Sequence, residues 1–342
     1  MGNTSVKTRE SSYELLRILL MMMIIAGHVS VNHETKYVLT SSDEIIKLFS
    51  HGMICVAVNS FILLSGYFSI QYKKERLIRL AFQTFFYSTT FMLLSLVLGW
   101  HSFNLRKDVF AFFPILTKQY WFITCYVVLY ILSPWLNIFV DNLKKDVYRK
   151  FLIIGVIVFY LWPTINYLIN APQFVKDAGY GIVNFVFLYL LGRYINLHYK
   201  DNHSSRFYQY AYIASTVVLF ICQYSLSWIL GFEFTSWLSY NTIFCLIGSV
   251  CLLLAFKNIS IHMPIVNYWA RPCLAVYLIH MAPDVLAVFC CAFVGIQYYH
   301  GLSWLLLLIT MPVIIYSVCA LIEICRRGIM YKIENKIVSL LS

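Results

Sequence analysis

Apolar runs of about twenty residues, each nearly free of charge, follow one another along almost the whole chain, and each is long enough to cross a hydrocarbon layer as a helix. That pattern limits the fold more than any motif does. Only 12% of the 342 residues are charged, against about 25% in soluble domains. No polar stretch is long enough to build a second core. The sequence therefore predicts one all-α domain over 1–342, a polytopic integral membrane protein. Ten spans are expected, near 12–31, 48–70, 78–100, 119–140, 151–169, 181–198, 207–229, 237–256, 266–295 and 302–325. Residues 1–11 and 326–342 are left as tails.

An even number of crossings puts both termini on one side, and basic residues say which. With the termini in the cytoplasm, seventeen lie inside: Lys7 and Arg9, four from Lys73 to Arg79, four from Lys144 to Lys150, Lys200 and Arg206, Lys257, and four from Arg326 to Lys336. Six remain outside: Lys36, Lys47, Arg106, Lys107, Lys118 and Lys176. The net charge of +11 thus reports orientation and not a nucleic-acid partner. Trp100, Trp121, Trp228, Trp237 and Trp304 fall near the outer interface as an aromatic belt. The N-terminus lacks a small-residue cleavage site and reads as a retained helix. Ten cysteines lie mainly within apolar helices, without CxxC or Cys/His ligand spacing, so no metal site is expected. Segments 32–47, 101–118 and 170–180 carry aromatics and mixed charge, and suit either substrate-facing loops or plain connectors.

Two residues interrupt the first span. Arg17 and His28 are eleven apart, almost three helical turns, which puts both on one face roughly 16 Å apart along the axis. A guanidinium and an imidazole in hydrocarbon cost several kcal/mol unless they face a polar interior. A snorkelling arginine and a histidine bonded to a neighbouring helix would satisfy that demand, and so would a functional pair.

Further polar marks follow in order. Val58 to Phe68 contains Ser65-Gly66-Tyr67, and Lys73 to Arg79 is a basic stretch opening the third span. The fourth contains Trp121-Phe122, Tyr126, Tyr130, Ser133-Pro134 and Asn137; Leu191-Gly192-Arg193 and Tyr277-Leu278-Ile279-His280 come later. Together with Arg17-x10-His28 they resemble the integral-membrane acyltransferase-3 family over nearly the whole chain, in the form without an extracytoplasmic esterase-like domain. Arg76 and Arg79 are separated by two residues, where many members carry a closer arginine pair.

The resemblance implies an O-acyltransferase of a bacterial cytoplasmic membrane. Such an enzyme moves an acyl group, most often acetyl, from acyl-CoA to a hydroxyl of a surface polysaccharide or its lipid-linked precursor. His28 then becomes the catalytic base or, alternatively, the carrier of an acyl-histidine, imidazole being suited to proton transfer near neutral pH. Arg17, Arg76 and Arg79 suit the phosphates or amides of acetyl-CoA, although basic residues at an inner rim are also what orientation requires. Ser65, Asn59 and Ser60 are possible donors to the thioester oxygen, although helix glue is the favoured reading for all three. Trp121 and Tyr126 are candidates for the acceptor; His280 is a candidate to bond the acceptor or to orient the base, or else a satisfied core histidine, with Asp284 as a possible histidine partner. A transporter or flippase for an amphipathic solute or lipid-linked sugar is the rival reading, since such proteins also hide Arg and His in their bundles. Against it, the chain lacks a matching pair of Gly/Pro-broken helices in two halves.

Overall fold

A computed structural model describes residues 10–33, 38–100, 102–200 and 202–342. Lys7, Arg9, Lys36 and the side chains of Arg106 and Lys107 lie outside the described residues. Among those described, every regular element is helical. Physical chemistry demands this: in hydrocarbon each backbone N–H and C=O must be satisfied within its own segment or across a closed barrel.

Among the described residues, eight helices are long and apolar enough to cross a membrane: α1 (Ser11–Val31), α2 (Ser42–Phe68), α3 (Lys74–Val97), α4 (Trp121–Asp141), α5 (Lys145–Leu168), α7 (Ser205–Leu230), α8 (Ser236–Lys257) and α11 (Gly301–Leu341). The sixth expected span is a shorter apolar helix, α6 (Ile182–His198). The ninth departs from expectation. Instead of one crossing over 266–295 there are two helices, α9 (Pro264–His280) and α10 (Val285–Val294), bent by 90° at their break. The sequence Ala282-Pro283-Asp284 explains the corner. Proline disfavours helical backbone in the residue before it, and Asp284 turns left-handed at φ 65°.

Other boundaries also shift for local reasons. Ser41 caps α2, its Oγ accepting the Glu44 N–H at 3.2 Å, so the helix starts six residues before the expected 48. Consequently the latter part of the 32–47 segment is helix. α11 continues through Leu341, 41 residues or about 60 Å, roughly twice the thickness of a hydrocarbon core. Of the tryptophans read as a belt, Trp228 is exposed but Trp237 and Trp304 are buried. Trp237 donates its indole N–H to the Thr164 carbonyl at 3.0 Å, and Trp304 is stacked beneath the His33 ring.

Two glycines fix the centre of the bundle. A Cβ on Gly66 would run into the Tyr189 backbone, and one on Gly192 would run into the Leu63 carbonyl. The Ser-Gly and Leu-Gly-Arg landmarks are thus where α2 and α6 touch backbone to backbone, the use membrane helices make of small residues. Tyr189, Asn137 and Tyr130 then hold the turn between α2 and α3. Tyr189 Oη accepts the Ile70 N–H at 3.0 Å, Asn137 Nδ2 donates to the Ile70 carbonyl at 3.0 Å, and Tyr130 Oη accepts the Lys73 N–H at 2.9 Å.

A fully buried carboxylate joins α3 to α11. Glu323 receives Tyr87 Oη at 2.5 Å, Gln83 Nε2 at 3.1 Å, and the guanidinium groups of Arg326 and Arg327. Such a charge is tolerable in an apolar span only when paired and fully hydrogen-bonded.

Candidate active site

α1 supplies one wall of a cavity of about 490 Å³. Arg17, Met21, Ile24, His28 and Val31 all line it, a four-three-four-three spacing that marks a single helical stripe. α2 adds His51, Phe61 and Ser65; α4 adds Trp121, Phe122 and Tyr126; Tyr180, Tyr240 and Tyr277 complete an aromatic wall. The pair expected to share a face therefore borders one chamber, Arg17 toward the rim where α1 starts and His28 toward the rim where it ends.

His28 is held from behind. Its Nδ1 lies 3.1 Å from His280 Nε2, and His280 Nδ1 lies 2.6 Å from the Val276 carbonyl oxygen. A carbonyl only accepts, so His280 carries its proton on Nδ1 and offers a lone pair at Nε2. His28 must then donate from Nδ1, which leaves the lone pair of its own Nε2 free. The hydrogen-bond chain thus assigns the tautomer a base needs. Buried His280 does not line the cavity; it orients the residue that does.

Arg17 is paired with Glu14 one turn earlier, and its guanidinium sits 5.9 Å from the centre of the Phe68 ring. Glu14 is buried, whereas Arg17 keeps 29% of its side chain accessible. Phe68 itself is fixed edge-on against Tyr13 at 4.8 Å. The cation is therefore anchored yet open to the chamber.

The aromatic wall is a continuous cluster. The Trp121 ring lies 4.6 Å from Tyr180 and is stacked on Tyr240 at 6.0 Å, while Phe122 stacks on Tyr126 at 6.1 Å. Burial pushes the Tyr180 hydroxyl above its ordinary pKa, so it stays a neutral donor and acceptor. Flat π-faces interleaved with hydroxyls suit a polar ligand with apolar faces.

Not every candidate from the sequence reaches the chamber. Asn59 is wholly buried and spends its amide on the Tyr240 carbonyl at 2.8 Å and the Cys245 sulfur at 3.3 Å, with Asn184 donating to its Oδ1 at 3.2 Å. It positions Tyr240 from outside the cavity. Ser60 bonds back to the Val56 carbonyl at 2.9 Å, and Ser65, although on the wall, bonds back to Phe61 at 2.9 Å. Arg76 is exposed at the rim where α1 starts. Arg79 is engaged by Glu334 at 3.0 Å and Asn335 at 2.7 Å. Asp284, at the α9–α10 corner, borders a separate cavity with Asp108 and Gln119. Among the described residues, one group of His, Cys, Asp or Glu has metal-ligand proximity, and it lies away from the chamber lining.

Sequence reasoning missed His51, Tyr180, Tyr240 and Tyr277 as wall residues. His51 carried the same signal as His28, an imidazole in an apolar run; its Nε2 lies 3.0 Å from Ser30 Oγ. Tyr180 lay in a segment already noted for its aromatics. Tyr277 stood in the Tyr277-Leu278-Ile279-His280 landmark without being singled out, and Tyr240 had no signal beyond being aromatic.

The bundle of apolar helices defines a multi-pass membrane protein, and it encloses a chamber with a polar residue toward each end. A family model described as an acyltransferase domain matches residues 10–324. The chain belongs to this acyltransferase-3 family and is a membrane acyltransferase. No curated protein and no solved structure gives a match.

Proposed function

We propose that the protein moves an acyl group, acetyl in the simplest case, from acyl-CoA to a hydroxyl of a cell-surface polysaccharide or its lipid-linked precursor. The observation that carries this reading is the placement of Arg17 and His28 at two ends of one chamber, with His28 Nε2 left free by the bond to His280. The excess of basic residues on the side assigned to the termini makes the Arg17 end cytoplasmic. Acyl-CoA enters there. Arg17 meets a phosphate or a pantetheine amide, and exposed Arg76 offers a second cation at the same rim. Arg79, already held by Glu334 and Asn335, is the weaker candidate of the two.

The acceptor enters from the opposite end and lies against Trp121, Tyr180 and Tyr240. His28 Nε2 takes the proton of the acceptor hydroxyl as its oxygen attacks the thioester carbonyl carbon. The C–S bond breaks, the acyl group passes to oxygen, and the coenzyme A thiolate leaves and recovers the proton from the imidazolium. Bonded through its Nδ1–H to His280, the imidazolium keeps its orientation throughout. A two-step variant through an acyl-histidine uses the same free Nε2.

The test is the ester content of the surface glycan, measured by NMR in cells with the wild-type chain, with His28→Ala, and without the gene. The reading expects loss of O-acetyl signal in the last two, with the amount of polymer unchanged. A fall in polymer with its esters intact would instead mark a transporter or flippase. Normal esters with His28→Ala would remove the base.

A further inference from the structure

At the rim where α1 ends, away from the chamber lining, His33 and Asp43, ten residues apart, meet His300 from near the other end of the chain. His33 lies just past α1, Asp43 in the first turn of α2, and His300 at the N-cap of α11. A ring nitrogen from each histidine and a carboxylate oxygen from Asp43 all lie within 4.8 Å of one another. We propose that these three residues bind a divalent transition-metal ion, zinc first among them, which ties together the ends of α1, α2 and α11. The inference goes beyond the acyltransferase reading and does not depend on it.

The donor set selects the metal. Two imidazole nitrogens and one carboxylate oxygen suit zinc and its neighbours, whereas calcium and magnesium call for oxygen donors. Three protein ligands leave a fourth tetrahedral position for water. The cluster is also held in shape by groups around it, as ligating side chains usually are. His33 has its Nε2 2.8 Å from the Tyr299 carbonyl oxygen, and its ring is stacked on Trp304 at 3.9 Å with only 6° between the planes. Asp43 accepts the Gly301 N–H at Oδ1 and lies 2.6 Å from His300 Nδ1 at Oδ2.

A metal-free account of the cluster covers only part of it. Asp43 caps α11 through Gly301 and pairs with His300, and that explains those residues. It does not explain why a second, largely buried imidazole is brought into the same 4.8 Å group and locked there by a flat stack on a buried tryptophan. A cation at the centre explains all three. Its arrival displaces the proton from the ligating ring nitrogen of His300 and opens that hydrogen bond, so binding weakens as the pH falls.

The test uses the full chain purified in detergent, stripped with a chelator and dialysed against limiting zinc chloride, with zinc counted by mass spectrometry. Wild type should retain about one zinc per chain, as one such ligand set requires. His300→Asn and Asp43→Asn should each lose it. Asparagine is a good helix cap, and at 43 it still accepts the Gly301 N–H, so both variants keep the start of α11. Zinc should raise the melting temperature of wild type and leave that of His300→Asn unchanged. It should also alter the tryptophan emission of wild type but not of Trp304→Phe, which still binds the metal. Equal zinc in wild type and both variants, or none in wild type, would overturn the proposal. If either variant melts well below metal-free wild type, the emission change in wild type, absent from Trp304→Phe, decides instead.

Discussion

Removing His280 while leaving His28 in place isolates what the hydrogen-bond chain contributes. In His280→Ala the His28 Nδ1–H loses its acceptor at 3.1 Å inside the bundle, and the ring becomes free to turn or to move its proton to Nε2. A buried donor left without a partner costs about 1–3 kcal/mol. If 1–2 kcal/mol of that falls on the productive orientation, kcat drops about tenfold, since about 1.4 kcal/mol is a factor of ten in rate. His28→Ala removes the base itself, worth about 10²- to 10⁴-fold. His280→Gln should recover most of the activity, because its amide oxygen accepts from His28 and its NH₂ donates toward the Val276 carbonyl. The assay follows labelled acetyl from acetyl-CoA into the polysaccharide fraction of isolated membranes, at saturating donor. The apparent KM for acetyl-CoA should stay unchanged in both His280 variants, because His280 does not line the chamber. Full activity in His280→Ala would refute the argument. So would a loss as deep as in His28→Ala that glutamine fails to rescue, because His280 would then act on the substrate directly.

Arg17→Gln combined with Glu14→Gln, which avoids stranding the buried carboxylate, should raise the KM for acetyl-CoA about tenfold or more, the worth of a charge-assisted hydrogen bond. An unchanged KM would leave Arg17 with packing alone. Trp121→Ala should weaken use of the acceptor with the donor KM intact, and Trp121→Phe should restore it by keeping a flat ring beside Tyr180 and Tyr240; equal loss in both would point to misfolding. Gly192→Ala forces a methyl into the Leu63 carbonyl and should cost about 1–3 kcal/mol of stability or more, read as a lower melting temperature in detergent. Glu323→Gln should destabilise by roughly 3–5 kcal/mol because Arg326 is left buried and underpaired, and unaltered melting would contradict the network.

The legible part of the fold is the part that hydropathy controls. Runs of apolar residues marked the crossings because each must satisfy its own backbone, and that requirement acts segment by segment. Where one residue overrode the run, the boundary moved. Pro283 split a span that composition alone would continue, and Ser41 started a helix earlier than the apolar run does. The tryptophan belt failed in part for a related reason. Trp304 is amphipathic enough for an interface, but a stacked histidine reached only through tertiary folding took it inside.

The candidate site divides along the same line. Arg17 and His28 were legible because they sit on one helix, where spacing alone decides which residues share a face. Their partners were not, because partnership across helices leaves no period in the sequence. His280 is 252 residues from His28, and nothing local says that it stands behind the imidazole rather than beside the substrate. The same gap hid the His33, Asp43 and His300 group, whose members sit at the ends of three helices and match no short ligand spacing. It also bears on Asn59: an amide in an apolar span must be satisfied, and here its partners are the Tyr240 carbonyl and Asn184. Polar residues in a membrane bundle thus announce that a partner exists, and only the packing of helices decides whether that partner is a substrate or the protein itself.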